Sequence, residues 1–174
     1  MLVLGCAGSG KSTFSSQLGQ VTGLPVIHLD SLYWKPNWIA ATEEEWDQTM
    51  DELVRLESYI MDGNYSRTLS KRLMDADVVF YFDFPRLLCI YRVIKRRIIN
   101  HGRTREDMGA GCREKIDFEF LRWIWNFRKR SRGKILETLD QVKEQKQIYI
   151  FKTSKEAKKY MEIYRMGGND EAND

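Results

Sequence analysis

The sequence predicts an α/β fold in three layers, a five-stranded parallel sheet with helices on both faces. Three observations carry that expectation. Apolar runs of strand length alternate with segments of helical period along the chain, the pattern of repeated β-α units. Val78–Phe82 is almost entirely apolar, as a strand covered on both faces requires. A glycine-rich turn joins the first apolar run directly to the first helical segment.

Residues 1–4 form the first expected strand, and Lys11–Thr22 the first helix, with Phe14 and Leu18 one turn apart and Gly23 at its end. Residues 25–29 make the second strand, which runs into Asp30. An aromatic connection over 31–41 follows, with Tyr33, Trp34, Pro36 and Trp38. Thr42 and Glu45 have the spacing of a capping box, in which each side chain satisfies the other residue's backbone N–H, and open a helix expected to reach about Glu57. Residues 59–62 are a third strand, 67–75 a short helix, Val78–Phe82 the fourth strand and 85–100 a helix begun by Pro85. A polar, glycine- and arginine-rich segment over about 100–116 has no regular period. A helical stretch from Ile116 to Gln145, broken near Gly133, leads to a fifth strand, Gln147–Phe151, and a helix over 154–165. The expected organisation is a single domain over 1–165 with a frayed tail at 166–174.

The chain of 174 residues is long enough to bury a core unaided, and its 43% hydrophobic and 30% charged residues suit a globular protein. No apolar run approaches membrane-spanning length, and the start of the chain reads as a strand with no room for a signal peptide. Cys6, Cys89 and Cys112 form neither a disulfide framework nor a zinc ribbon, so the expected setting is a reducing cytoplasm. Charge is uneven. Residues 86–134 hold 15 Lys and Arg against 5 Asp and Glu, a balance of +10, while the remainder stands at −7. Such a segment needs anions nearby, either the phosphates of a small ligand or a nucleic-acid backbone.

Gly5-Cys6-Ala7-Gly8-Ser9-Gly10-Lys11-Ser12 satisfies G-x-x-x-x-G-K-[ST] between a strand and a helix, the context a phosphate loop requires. Its glycines let successive backbone N–H groups turn inward around a phosphate, and the helix N-terminus at Ser12 and Thr13 adds its dipole. Lys11 reaches the β- and γ-phosphates of ATP and Ser12 suits Mg²⁺. Cys6 reads as a small filler of the loop. The fold class is therefore that of the P-loop NTPases. Asp30 and Asp62 end strands beside this loop, where ligands of open parallel sheets bind. Asp30 can orient an acceptor hydroxyl, take its proton, approach Mg²⁺ through water, or cap a turn; Asp62 is placed to hold a Mg²⁺-bound water or to cap the Gly63-Asn64 turn. His28 reads as a core residue and Asp83 as a cap.

The phosphate loop, His28-Leu29-Asp30, Met61-Asp62-Gly63-Asn64-Tyr65 and the arginine-rich lid resemble the adenylate-kinase-like P-loop kinases. Within them, the run from His28 to Trp34 together with Asp62-Gly63-Asn64-Tyr65 is similar to the DNA topology modulation proteins. The resemblance implies that Asp30 contacts the phosphoryl acceptor. It also implies that Arg92 covers the base of ATP and that Arg96, one turn on, stabilises the transferring phosphoryl group. A short lid carrying Arg103, Arg105 and Arg113 would close over the triphosphate, with Arg103 and Arg105 the first candidates for catalysis. Only Lys35 is basic between Asp30 and Thr42, so a monophosphate acceptor would need Arg67 or Arg72. Tyr33, Trp34 and Trp38 either line an acceptor site or pin the loop to the core, and the aromatic helix at 118–127 reads mainly as core.

The expected activity is a Mg·ATP-dependent transfer to a small-molecule acceptor. The alternatives are a nucleotide-dependent DNA-binding or regulatory protein, for which the basic segment speaks, and a plain NTPase.

Overall fold

The computed structural model describes residues 1–100, 105, 107–112 and 116–170. In chain order the elements are β1 (Leu2–Gly5), α1 (Lys11–Thr22), β2 (Val26–His28), α2 (Leu29–Tyr33), β3 (Trp34–Lys35), β4 (Ile39–Ala40), α3 (Glu43–Leu53), β5 (Ile60–Asp62), α4 (Leu69–Asp75), β6 (Val78–Phe82), α5 (Arg86–Ile99), α6 (Phe118–Phe127), α7 (Gly133–Val142), β7 (Gln147–Phe151) and α8 (Ser154–Asp170). The five-stranded sheet has the order β2-β5-β1-β6-β7, and every pairing in it is parallel. β1 lies at its centre, so the loop leaving Gly5 emerges from the middle of the sheet's carboxyl edge, with β5 and β6 on either side. This is the predicted fold class.

Strand period explains the core. Phe80 and Phe82, two apart on β6, both meet the ring of Phe14 from α1, at 5.0 and 5.3 Å. Phe151 and Tyr160 close the same cluster from β7 and α8. Tyr81 points to the opposite face. There Ile124, Phe127, Ile135 and Leu139 bury the inner side of α6 and α7.

Five expectations are corrected. The helix capped by Thr42 has its capping box but ends at Leu53, because Val54 closes the last turn and the chain then turns toward β5. The aromatic connection contains a two-stranded antiparallel sheet, β3 with β4, around a tight turn at Pro36–Trp38. Gly133 breaks nothing: its backbone is helical (φ −59°, ψ −50°), and a widened π-type turn at Arg128–Arg132 joins α6 to α7. Asp83 does not serve as a cap; its two oxygens share the Nε–H of Arg132, at 2.8 and 3.0 Å, and Oδ2 also accepts from Nη2 at 2.7 Å. That ion pair ties the end of β6 to the widened turn. α8 also continues past Arg165 to Asp170.

Candidate functional site

A cleft of about 1910 Å³ opens along the carboxyl edge of the sheet. Pockets for one small ligand typically span about 300–1,000 Å³, so this one has room for two reactants side by side. Residues 7–13 of the phosphate loop line it, as do Asp30, Arg92, Arg96 and Arg105. Gly5 and Cys6 form the buried root of the loop, and Asp62 lies buried behind Lys11. Arg103 and Arg113 lie outside the described residues.

Glycine shapes the loop against α5. Gly8 has φ +78°, and a Cβ there would stand 2.4 Å from the carbonyl oxygen of Cys89. No side chain fits that approach. Arg92, one turn further along α5, donates to the Ser9 carbonyl at 3.1 Å and to Ser154 Oγ at 2.6 Å, so it bridges the phosphate loop and the start of α8. Asn64 braces the loop from the other side. Its Nδ2 donates to the Gly5 carbonyl at 2.6 Å and its Oδ1 accepts from the Gly5 N–H at 3.0 Å.

Lys11 and Asp62 form the charged centre. Lys11 Nζ lies 3.7 Å from Asp62 Oδ1, and His28 Nδ1 lies 3.0 Å from Asp62 Oδ2. Burial opposes the Lys11 charge, but the carboxylates of Asp62, Asp30 and Asp107 outweigh it and raise the lysine's pKa. Burial likewise opposes the charge on Asp62, yet Lys11, His28 and Ser12 hold that carboxyl below its usual range. The hydrogen bond to Asp62 raises the pKa of His28, so the histidine supports the site instead of being plain core. Asp62 Oδ1 is buried and accepts no hydrogen bond within normal geometry from the described residues. Together with the neighbouring Ser12 it fits a Mg²⁺ ion that also takes phosphate oxygens, the usual way proteins hold this metal. Among the described residues no cluster of three His, Cys, Asp or Glu side chains forms a self-sufficient metal cage.

Asp30 sits in the first turn of α2, immediately past β2. Tyr65 Oη donates to its Oδ1 at 2.7 Å, and Tyr65 itself holds a left-handed backbone (φ 32°). Tyr33 packs on Trp46 and Tyr65 at 5.0 and 4.8 Å and pins the loop, whereas Trp34 and Trp38 line the cleft. The two readings of these aromatics are therefore divided among them. Residues 107–112 dock on the same hairpin. A Cβ on Gly109 would stand 2.2 Å from the Trp34 carbonyl oxygen, and Cys112 Sγ lies 3.1 Å from the Lys35 carbonyl.

Two expected phosphate ligands are otherwise engaged. Arg72 is fully buried and donates to the carbonyls of Gly63, Asn64 and Tyr65, with burial pushing its pKa down to about 10. Arg67 pairs with Asp47 and Glu43. Asn64 and Tyr65 had no role assigned from sequence, although their place directly after the Asp62 strand was a usable signal. Phe120 and Trp123 also line the cleft, so α6 is more than core.

No family model and no curated protein matches this chain. Solved structures do. A sugar kinase from a Janibacter species aligns with TM-score 0.50 and 18% identity over 95% of this chain and 89% of its own. A gluconokinase from Sinorhizobium meliloti gives 0.51 and 15% over 97% and 90%. A deoxyadenosine kinase from M. mycoides, solved with dCMP and dCDP bound, gives 0.51 and 14% over 97% of both chains. These likenesses show a fold shared with those three proteins.

Proposed function

We propose that this protein is a Mg·ATP-dependent phosphotransferase of the adenylate-kinase-like type, acting on a small-molecule hydroxyl, and that it is one of the DNA topology modulation proteins. One observation carries the activity: Lys11 of the phosphate loop and the Asp30 carboxylate face the same cleft, which is large enough for donor and acceptor together. The phosphate-loop N–H groups and Lys11 bind the β- and γ-phosphates, braced by Asn64 and Arg92. Ser12 and Asp62 hold Mg²⁺, which neutralises charge on the phosphates. Asp30, aimed by Tyr65, orients the acceptor hydroxyl and receives its proton. Arg96 and the lid arginines Arg103 and Arg105 stabilise charge as the phosphoryl group moves. Among the described residues no helix is long and apolar enough to cross a membrane, and we assign the protein to the cytoplasm.

The basic segment supports the same reading, since Arg92, Arg96, Arg105, Arg130 and Lys134 line the cleft. Lys11→Ala is expected to abolish acceptor-dependent ADP formation while leaving the fold intact, and an unchanged rate would defeat the proposal. Arg96→Ala separates the DNA-binding alternative. A catalytic arginine changes the rate by about 10³–10⁵, whereas a DNA contact releases about one counterion and shifts the salt slope of binding. ADP formation and DNA binding at two salt concentrations, measured on both proteins, decide between them.

A further inference from the structure

Resting on the phosphotransferase reading, the acceptor end of the cleft also limits what the acceptor is. Among the described residues, two cations that line it, Arg67 and Arg105, already meet carboxylates of this chain. Arg67 meets Asp47 through Nε at 3.2 Å and Nη2 at 2.6 Å, and meets Glu43 as well, so one guanidinium faces two acids. Lys35 meets Glu45 at 2.6 Å, and Arg105 meets Asp107 at 3.0 Å. Arg72 is spent on backbone carbonyls. Asp30 adds a further negative charge, and its second oxygen hydrogen-bonds to no described residue. Together Arg67, Lys35, Arg105 and Arg72 set four positive charges against five negative ones from Asp30, Glu43, Glu45, Asp47 and Asp107, and each of the four cations already has a partner in this chain. Exposed pairs such as Arg67–Asp47 are individually weak, and an entering anion could displace a carboxylate. It would then lie beside the acids it had left uncompensated.

The same cleft has an aromatic lining. Trp34 and Trp38 meet at 5.6 Å with an interplanar angle of 63° and both line the cleft. Trp38 has φ 64° and Tyr65 φ 32°, a left-handed backbone that bulky residues adopt at a cost of about 1–3 kcal/mol each and that clusters at ligand sites. Their aromatic faces suit a planar base or the C–H face of a sugar ring.

We infer that the acceptor is an uncharged hydroxyl compound with a flat or apolar ring face, the chemistry shared by nucleosides and neutral sugars. Its hydroxyl oxygen bonds to the γ-phosphorus of ATP as the bond to the β-phosphate oxygen breaks. The hydroxyl proton passes to Asp30, and ADP leaves.

The test measures ADP formation by the intact protein with Mg·ATP and four acceptor sets: nucleosides, neutral sugars, nucleoside monophosphates and sugar acids. One of the first two sets is expected to raise the rate roughly 100-fold over water alone and so names the source. The two anionic sets are expected to stay near the water rate. Stronger stimulation by an anionic set overturns the inference, and so does stimulation by none while ATP still binds. Failure of the kinase reading looks different: ATP does not bind, or Lys11→Ala leaves the rate unchanged. A second protein, Glu43→Gln with Asp47→Asn, releases Arg67 from its acids. Its preference for neutral over anionic acceptors should fall by roughly fivefold, the scale of an exposed ion pair, and an unaltered preference counts against the inference.

Discussion

Replacing Asn64 with alanine is expected to destabilise the protein by about 2–4 kcal/mol and to weaken ATP binding at the same time. The side chain makes two hydrogen bonds to one residue, accepting from the Gly5 N–H at 3.0 Å and donating to the Gly5 carbonyl at 2.6 Å. Gly5 is buried, so alanine leaves a donor and an acceptor without partners, each costing about 1–3 kcal/mol. Asn64 itself is half-buried, and water reaching its place returns part of that cost. In a domain of this size 2–4 kcal/mol lowers the melting temperature by roughly 5–15 °C. Gly5 is also the hinge from which the phosphate loop leaves β1. If about 1–2 kcal/mol of lost order must be restored on binding, Kd for ATP rises roughly 5- to 30-fold. Urea unfolding and a nucleotide titration on wild type and mutant provide both numbers. A stability change under about 0.5 kcal/mol with unaltered ATP affinity would show that the brace is not made in solution.

Asp30→Asn should lower acceptor-dependent ADP formation by about 10²–10⁴ with ATP affinity unchanged, and Tyr65→Phe should lower it less, since it removes only the bond that aims the carboxylate. A matching loss of ATP affinity in either would remove Asp30 from the acceptor side. Gly109→Ala puts a Cβ 2.2 Å from the Trp34 carbonyl, so it should cost about 1–3 kcal/mol and slow transfer while ATP still binds; a neutral result would show that residues 107–112 do not rest on the hairpin. Arg132→Met leaves the buried Asp83, among the described residues, with Arg128 at 3.8 Å as its remaining cation. Because Arg132 is 34% exposed, the expected cost is the smaller part of the buried-pair range, about 1–3 kcal/mol, and a double-mutant cycle with Asp83→Asn that shows no coupling refutes the pair.

Sequence was most informative where chemistry and chain direction coincide. The phosphate loop, the alternation of strands and helices, and Asp62 at the end of β5 lie where their local patterns placed them, whereas Asp30 falls two residues past β2, in the first turn of α2. The braces of the site are not local. Asn64 meets Gly5 across 59 residues, Tyr65 meets Asp30 across 35, and Arg132 meets Asp83 across 49. The position of Asn64 and Tyr65 after the Asp62 strand singles them out, but nothing local names the partner each one meets. The β3–β4 hairpin was hidden for another reason: its strands are two residues each, too short for any period, and Asn37-Trp38 takes a left-handed turn with no glycine to mark it. Arg72 was misread because a guanidinium is ordinarily a surface group. Its burial on three carbonyls becomes visible only once the 63–65 loop is folded over it.

The widened turn at Arg128–Arg132 makes residue number, and not only residue type, matter in this helix. Each residue of an α-helix advances the side-chain direction by about 100°, so the extra backbone in a π-type turn resets the phase of everything after it. As built, that phase turns Ile135 and Leu139 into the core while Arg130 and Lys134 face the cleft. Removing one residue from the turn would produce a more regular helix whose downstream face points the wrong way. A single-residue deletion here therefore acts on α7 as a frameshift acts on a message: every residue remains correct, and each is delivered to the wrong address.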